Sequence, residues 1–457
     1  MASGCGGWPD EEMVAKDMFK AISAQVGRGI LLRQIMVPLL PRSVVPQSRA
    51  FRQFVFPTAP LALCCLSIVA CAQQGNGSRS LAAAAGRYSP AITEADLRKR
   101  LFIFADDSMQ GREAGTVGHE KALTYIVGEL TRLGVKPAGE NGYYQRVPLV
   151  PRRAPAGARV DTSWSRNVIA VIEGSDPTLK TEYVALGAHS DHVGFARRAV
   201  DHDSMRAFLR AGWEAIGRDA NARGASPDQL AAIRVNMDSL RKLRPSRRDS
   251  INNGADDDGS GSMALLEIAE AFATNGTKPK RSLLLVWHTA EEKGLVGAAW
   301  FTDNPTVDRN KIVAQINIDM IGRGSARDVK GGGDDFLTVL GPKRLSSQFD
   351  QWVRDVNDKQ PRPLKLDYEF DGDGHPQQFY CRSDHYEYAR YGIPIAFFFT
   401  SIHEDYHQVT DEPQYIEYPK YTRITQYLYH FSAFTANQPQ APMVDKPKPD
   451  PAGTCRQ

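Results

Sequence analysis

Val286-Trp287-His288-Thr289-Ala290-Glu291-Glu292-Lys293-Gly294 is the stretch on which the reading of this chain turns. The apolar run 283–287 has the length and composition of a buried strand, and it stops at two adjacent carboxylates. Neighbouring acids at the mouth of a sheet repel each other, and burying them is costly unless a cation lies beside them. An isolated Glu-Glu pair is usually a solvated turn that opens a helix. Here four other segments also place metal-type ligands close to the ends of apolar strands, and that conjunction favours a shared site.

His189-Ser190-Asp191 follows the apolar run 183–187. Residues two apart on extended backbone share a face, so His189 can ligate a metal while Asp191 stands beside it as a supporting group. Gly254-Ala255-Asp256-Asp257-Asp258-Gly259-Ser260-Gly261 opens a helix, and its flanking glycines suggest a tight turn that aims a carboxylate inward. Asp319 ends the apolar run 312–318, and His407 follows the run 395–399 by a loop. Runs at 168–173, 183–187, 282–287, 312–318, 336–340 and 395–399 read as strands, and 119–133, 262–273 and 421–434 as helices. Alternation of this kind implies a mixed or mostly parallel sheet covered by helices on both faces. Ligands in such folds bind beyond the carboxyl ends of the strands, which is where these acids and histidines fall.

With 457 residues, 42% hydrophobic and 24% charged, the chain can build one large core with insertions. A net charge of +3 and the lack of an aromatic-interleaved basic stripe argue against nucleic acid as a partner. Of six cysteines, Cys5, Cys64, Cys65 and Cys71 fall within 1–80, which reads as an export leader and tether. Arg49 and Arg52 precede an apolar stretch too short to span a bilayer. Ile68-Val69-Ala70-Cys71 resembles a bacterial lipobox, with a lipid anchor at Cys71, and Ala70-Cys71-Ala72 equally fits ordinary signal cleavage. The expected location is therefore a bacterial periplasm or envelope, or the medium, and a true start at Met36 is one account of residues 1–35. Cys381 and Cys455 are free to pair. The catalytic region is expected over 89–436, a helical insertion over 196–250, and a disordered Pro-rich tail over 437–457. In the insertion, Ser226-Pro227-Asp228-Gln229 is a helix start, and Leu230, Ile233, Met237 and Leu240 continue at helical spacing. Its readings are a solvated surface hairpin or a lid.

Two histidines with several carboxylates and no thiolate suit Zn²⁺ or a similar borderline ion. The carboxylates suffice for two ions about 3.5–4 Å apart with one Asp bridging. With these five segments in this order, the chain resembles the co-catalytic di-zinc aminopeptidase family, related to glutamate carboxypeptidase II, transferrin receptor and glutaminyl cyclase. The resemblance implies a three-layer α/β/α sandwich of the zinc-peptidase/phosphorylase-like kind and two Zn²⁺ per chain. It implies His189 and Asp319 on one zinc, Glu292 and His407 on the other, and Asp257 bridging, with a cis candidate at Asp257–Asp258. Glu291 is implied as general base, Asp191 as the group behind His189, and Tyr406 as an oxyanion donor. The implied reaction is hydrolysis of the N-terminal residue of peptides with a free amino terminus, by a metal-bridging hydroxide. The alternatives are glutaminyl cyclisation, acidic-dipeptide carboxypeptidase activity, and a non-catalytic receptor-like role. His192, His288 and His403 are read as packing or supporting residues.

Overall fold

The computed structural model describes residues 91–149, 163–276 and 278–457. The expected leader, with Cys71, lies outside the described residues. In chain order the described strands are β1 (Lys136–Pro137), β2 (Tyr144–Leu149), β3 (Ser163–Ile172), β4 (Tyr183–His189), β5 (Phe195–Asp201) and β6 (Arg248–Ile251). They continue with β7 (Ser282–His288), β8 (Ile312–Ile318), β9 (Phe336–Leu340), β10 (Lys365–Asp367) and β11 (Ile395–Phe399). Nine form one sheet in the order β1-β3-β7-β4-β8-β11-β9-β10, with β2 paired to β3. Its centre, β7-β4-β8-β11, is parallel, so these four carboxyl ends emerge on one edge. Register aligns His189 with His288, and Gly187 with both Val286 and Asn317.

β7 shows why the sheet needs two covers. All seven of its residues are buried, and successive side chains point to opposite faces. Leu283, Leu285 and Trp287 join the core under helices Glu94–Phe104, Val117–Arg132, Gly261–Thr274, Ser347–Asp358 and Tyr418–Asn437. Leu284 and Val286 pack on the other face, with Phe301 of helix Val296–Asp303 and Tyr388 of helix His385–Ala389. Each fully buried Leu or Val contributes about 1.5–3 kcal/mol relative to exposure, so neither face can be left bare. The three-layer sandwich with a mixed central sheet follows.

Two regions differ from expectation. The single helix expected after Ser226 is two, Pro227–Ala232 and Met237–Leu243. Ser226 and Gln229 do form the capping box, but Ile233 is extended and Asn236 caps a new start by accepting the Ser239 N–H. β5 and β6 pair antiparallel and close the insertion at its base. The tail, expected to be disordered, is instead tied to the domain. Cys455 is bonded to Cys381 (S–S 2.02 Å), and the Gln457 side chain accepts the Tyr380 N–H at 3.0 Å. Composition signalled disorder, but one covalent link and local hydrogen bonds outweigh it.

Between the helices of the larger face lies a buried ion network. Arg100, fully buried, reaches Glu267 at 2.7 Å and Glu129 at 3.0 Å, and also pairs with Glu270. Arg132 adds contacts to Glu129 (2.8 Å) and Glu270 (2.7 Å) from a partly exposed position. Breaking such a network from one side leaves buried charge uncompensated. Arg100→Met should therefore lower stability by about 3–5 kcal/mol, read as a shift of the urea midpoint at unchanged slope. A shift below about 1 kcal/mol, the scale of a surface pair, would show that the three glutamates do not depend on Arg100.

Candidate metal centre

The carboxyl ends of β4, β7, β8 and β11 meet the turn that precedes helix Gly261–Thr274. β4 ends on His189, β7 runs on into Glu291 and Glu292, Asp319 follows β8, and the loop after β11 carries Tyr406 and His407. Asp257 stands between the two histidines. Its Oδ1 lies 3.2 Å from His189 Nε2, and its Oδ2 lies 3.0 Å from His407 Nε2. Asp319 Oδ1 is 3.6 Å from His189 Nε2, and Glu292 Oε2 is 3.0 Å from His407 Nε2. The structure thus brings His189, Asp257, Asp319, Glu292 and His407 together in two overlapping groups that share Asp257.

Local backbone makes this convergence possible. The Asp257–Asp258 peptide is cis, and Gly254 has φ 53° where a Cβ would stand 2.2 Å from the Asp257 carbonyl oxygen. Gly261 is equally constrained, since a Cβ there would meet the Ile318 carbonyl oxygen at 2.2 Å. The Asp258 carboxylate accepts N–H groups from His189 (2.9 Å), Gly261 (2.8 Å) and Met320 (3.2 Å). It ties β4, the helix start and the exit of β8 to one another. Arg112, fully buried, donates to the main-chain oxygens of Asn253, Gly254 (2.8 Å) and Ser190 (3.3 Å), bracing the turn from below. Ala290, Met320 and His407 all have positive φ, so strained residues flank or carry the site groups on three of its segments.

Glu291 faces the pocket beside these groups, with its N–H donated to Asp191 Oδ1 at 3.1 Å. Asp191 lies beside His189. His189 Nδ1 meets the main-chain oxygen of Asp191 at 3.1 Å, and the carboxylate stands 3.8 Å away because it is turned toward Glu291. Burial, with the like charges of Glu292 and Asp384 and against the pull of His189, holds the Glu291 carboxyl well above its usual range in the metal-free chain. Burial also raises the Tyr406 phenol, which stays a neutral donor. Its ring stacks on His407 with centroids 3.9 Å apart. A pocket of about 420 Å³, counting its open mouth, lies against these groups. Phe379, Phe397, Phe399 and Ile402 give it apolar walls, and Arg382 sits among them.

His192, His288 and His403, read from the sequence as packing or supporting residues, lie beside these groups, and so does Ser383. His192 Nδ1 lies 2.8 Å from Glu292 Oε1 and 3.7 Å from Asp257 Oδ2, so it borders the second group. Its spacing three residues after His189 was the available signal. Ser383 donates to Asp319 Oδ2 at 2.8 Å, and His403 Nε2 stands 3.2 Å from Asp256. His288 Nε2 meets the Tyr388 hydroxyl at 3.0 Å. No local pattern marks Arg112 or Ser383, which matter only through distant backbone.

The donor set fits zinc. Asp257 Oδ2 and Asp319 Oδ1 are buried and accept no hydrogen bond of acceptable geometry. Imidazole nitrogens face them at 3.0–3.7 Å instead. Ligands about 2.0–2.2 Å from a tetrahedral ion stand roughly 3.3–3.6 Å from each other. All the donors are nitrogen or oxygen, as zinc accepts.

Comparison with known proteins gives the family. Residues 167–432, more than half of the chain, match Peptidase family M28. Leupeptin-inactivating enzyme 1 of Streptomyces exfoliatus is 30% identical over 158 residues, 34% of this chain and 31% of that protein. An aminopeptidase of Pseudomonas aeruginosa is 28% identical over 187 residues, 40% of this chain and 30% of that protein. The matched part therefore spans about a third of these relatives' length. Among solved structures, the LapA aminopeptidase of Legionella pneumophila aligns at 17% identity and a TM-score of 0.48, covering 76% of this chain and 73% of that one. On the family match, this chain is a member of Peptidase family M28, zinc-dependent peptidases whose usual stoichiometry is two ions.

Proposed function

We propose that this protein is an exported di-zinc aminopeptidase that removes the N-terminal residue from peptides. The observation that carries the reading is Asp257, whose two carboxylate oxygens each face a different histidine, His189 and His407. His189 and Asp319 would hold one ion, Glu292 and His407 the other, with Asp257 shared. When bound, the ions supply Lewis acidity toward the scissile carbonyl and acidify water. Glu291 takes a proton from the attacking water and returns one to the leaving amine, the double duty of a general base. Asp191 holds Glu291 in place through the Glu291 N–H. The neutral Tyr406 hydroxyl donates to the developing oxyanion. The apolar walls at Phe379, Phe397, Phe399 and Ile402 receive an apolar side chain. Arg382 in the same pocket lends support to a second reading, hydrolysis of acidic dipeptides, because it offers a cation to a substrate carboxylate.

Adjacent glutamates with different duties separate this mechanism from a solvated turn. Glu291→Gln should keep zinc and lose at least about 10²- to 10⁴-fold in kcat. Glu292→Ala should lose zinc as well as rate. Zinc stoichiometry and kcat on aminoacyl-p-nitroanilides read both, and near-native turnover of Glu291→Gln would overturn the mechanism. A parallel panel of acidic dipeptides separates the two substrate readings.

Chelation should abolish activity, and Zn²⁺ should restore it. Free zinc at 100 times its Kd should stabilise the fold by about 2.7 kcal/mol per site, seen as a rise in Tm. Full activity in metal-stripped protein would remove the metal from the mechanism.

Export is supported by the Arg-flanked apolar stretch before Cys71 and by the Cys381–Cys455 disulfide, which suits an oxidising compartment. Amino-terminal sequencing of the mature chain should begin at or just after residue 71. Cytoplasmic protein with residues 1–60 intact would contradict export.

A further inference from the structure

In the loop that presents Tyr406 and His407, the two residues before them are carboxylates, Glu404 and Asp405, whose side chains have no exposure. Asp405 Oδ2 takes Arg323 at 3.0 Å, and its Oδ1 accepts the Thr410 hydroxyl at 2.7 Å. Glu404 Oε1 lies 3.6 Å from Arg323, and neither Glu404 oxygen accepts a hydrogen bond. Arg323 also serves Asp328 at 2.7 Å. Within the sheet domain one buried guanidinium faces three carboxylates, with the His403 imidazole close to Glu404 and Asp405, and buried acids crowded in this way call for further cations.

The balance comes from the insertion. Arg206, on helix His202–Ala215, reaches Asp405 Oδ2 at 3.3 Å and lies over the Tyr415 ring at 3.5 Å. One turn later, Arg210 reaches Glu404 Oε1 at 3.4 Å. Three arginines then meet three carboxylates. The helix is seated there by further bonds: the Trp213 indole donates to the Asp328 carbonyl, Arg218 to the Ala326 carbonyl at 2.7 Å, and the Lys330 N–H to the Arg218 carbonyl at 2.9 Å. Two residues beyond this clamp, His407 holds a left-handed φ of 56°. A non-glycine residue keeps that conformation only when its surroundings hold it there.

We propose that helix His202–Ala215 is a positioning element for the metal centre. Arg206 and Arg210 fix Glu404 and Asp405, and through them the Tyr406–His407 step beside Asp257 and Glu292. The inference rests on the zinc-peptidase reading of the site. It makes the insertion part of the working site, neither a solvated hairpin nor a simple lid.

The test uses the full chain, with zinc affinities measured by chelator competition alongside kcat and KM on an aminoacyl-p-nitroanilide. Removing a group that orients a metal ligand typically costs 10- to 100-fold in metal affinity. Arg206→Ala should weaken one of the two zinc sites by that factor and lower kcat, with KM changed about twofold or less. Arg206→Lys, which keeps the charge, should recover most of both. A purely structural role would lower Tm and leave the zinc affinities of the folded protein alone. If Arg206→Ala does not fold, Arg210→Gln, at a side chain 27% exposed, should give the same ordering in smaller measure. Folded variants with native zinc affinities and kcat would overturn this inference while leaving the zinc-peptidase reading intact. A wild-type chain that takes up no zinc would overturn both.

Discussion

Everything at the business end of this protein follows from one electrostatic constraint. Asp257, Glu291, Glu292 and Asp319 crowd around the imidazoles of His189, His192 and His407 where four parallel strands end, and water can solvate them only in part. Carboxylates so close cannot all remain ionised without cations among them. A zinc pair meets that need, and the nitrogen and oxygen donors suit it. The same constraint explains why most of these groups come from the ends of strands. Four parallel strands deliver their last residues to one edge, so the site is assembled by the sheet rather than by a single loop.

Holding those groups requires support from outside the site. Asp258 gathers three backbone N–H groups from three elements, and Arg112 draws together carbonyls from the exit of β4 and from the residues before the Asp turn. Neither points at substrate. Their effect is to make the Asp turn rigid, so that Asp257 can face both histidines. Positive φ at Ala290, Met320 and His407 is tolerated because tertiary packing determines those backbones from several sides.

The parts that composition marks as peripheral are attached to this centre. Cys455 in the Pro-rich tail is bonded to Cys381, next to Arg382 and two residues from Phe379 in the pocket wall. The basic insertion brings two arginines to the loop before His407. Pocket shape and the placement of Tyr406 and His407 thus draw on both the carboxyl terminus and the insertion.

What the sequence determined by itself was the sheet and the chemistry. Apolar runs of strand length ending in His189, Glu291-Glu292 and Asp319 are local signals, and so are the glycines around Asp257. Fully buried strands must be apolar and ligands must sit at their ends, so residue type and position coincide. Tertiary structure alone decided which groups meet across the fold. The turn of Asp191 toward Glu291, the approach of His192 to Glu292, the brace of Arg112 and the ion pairs of Arg206 and Arg210 join residues far apart in the chain. Arginine and histidine are common on surfaces, so nothing in their neighbours announces such contacts. The split at Ile233 and the order of the tail were hidden for a related reason. Helical spacing and proline content describe local preference, and here a competing cap at Asn236 and a disulfide across 74 residues overrode it.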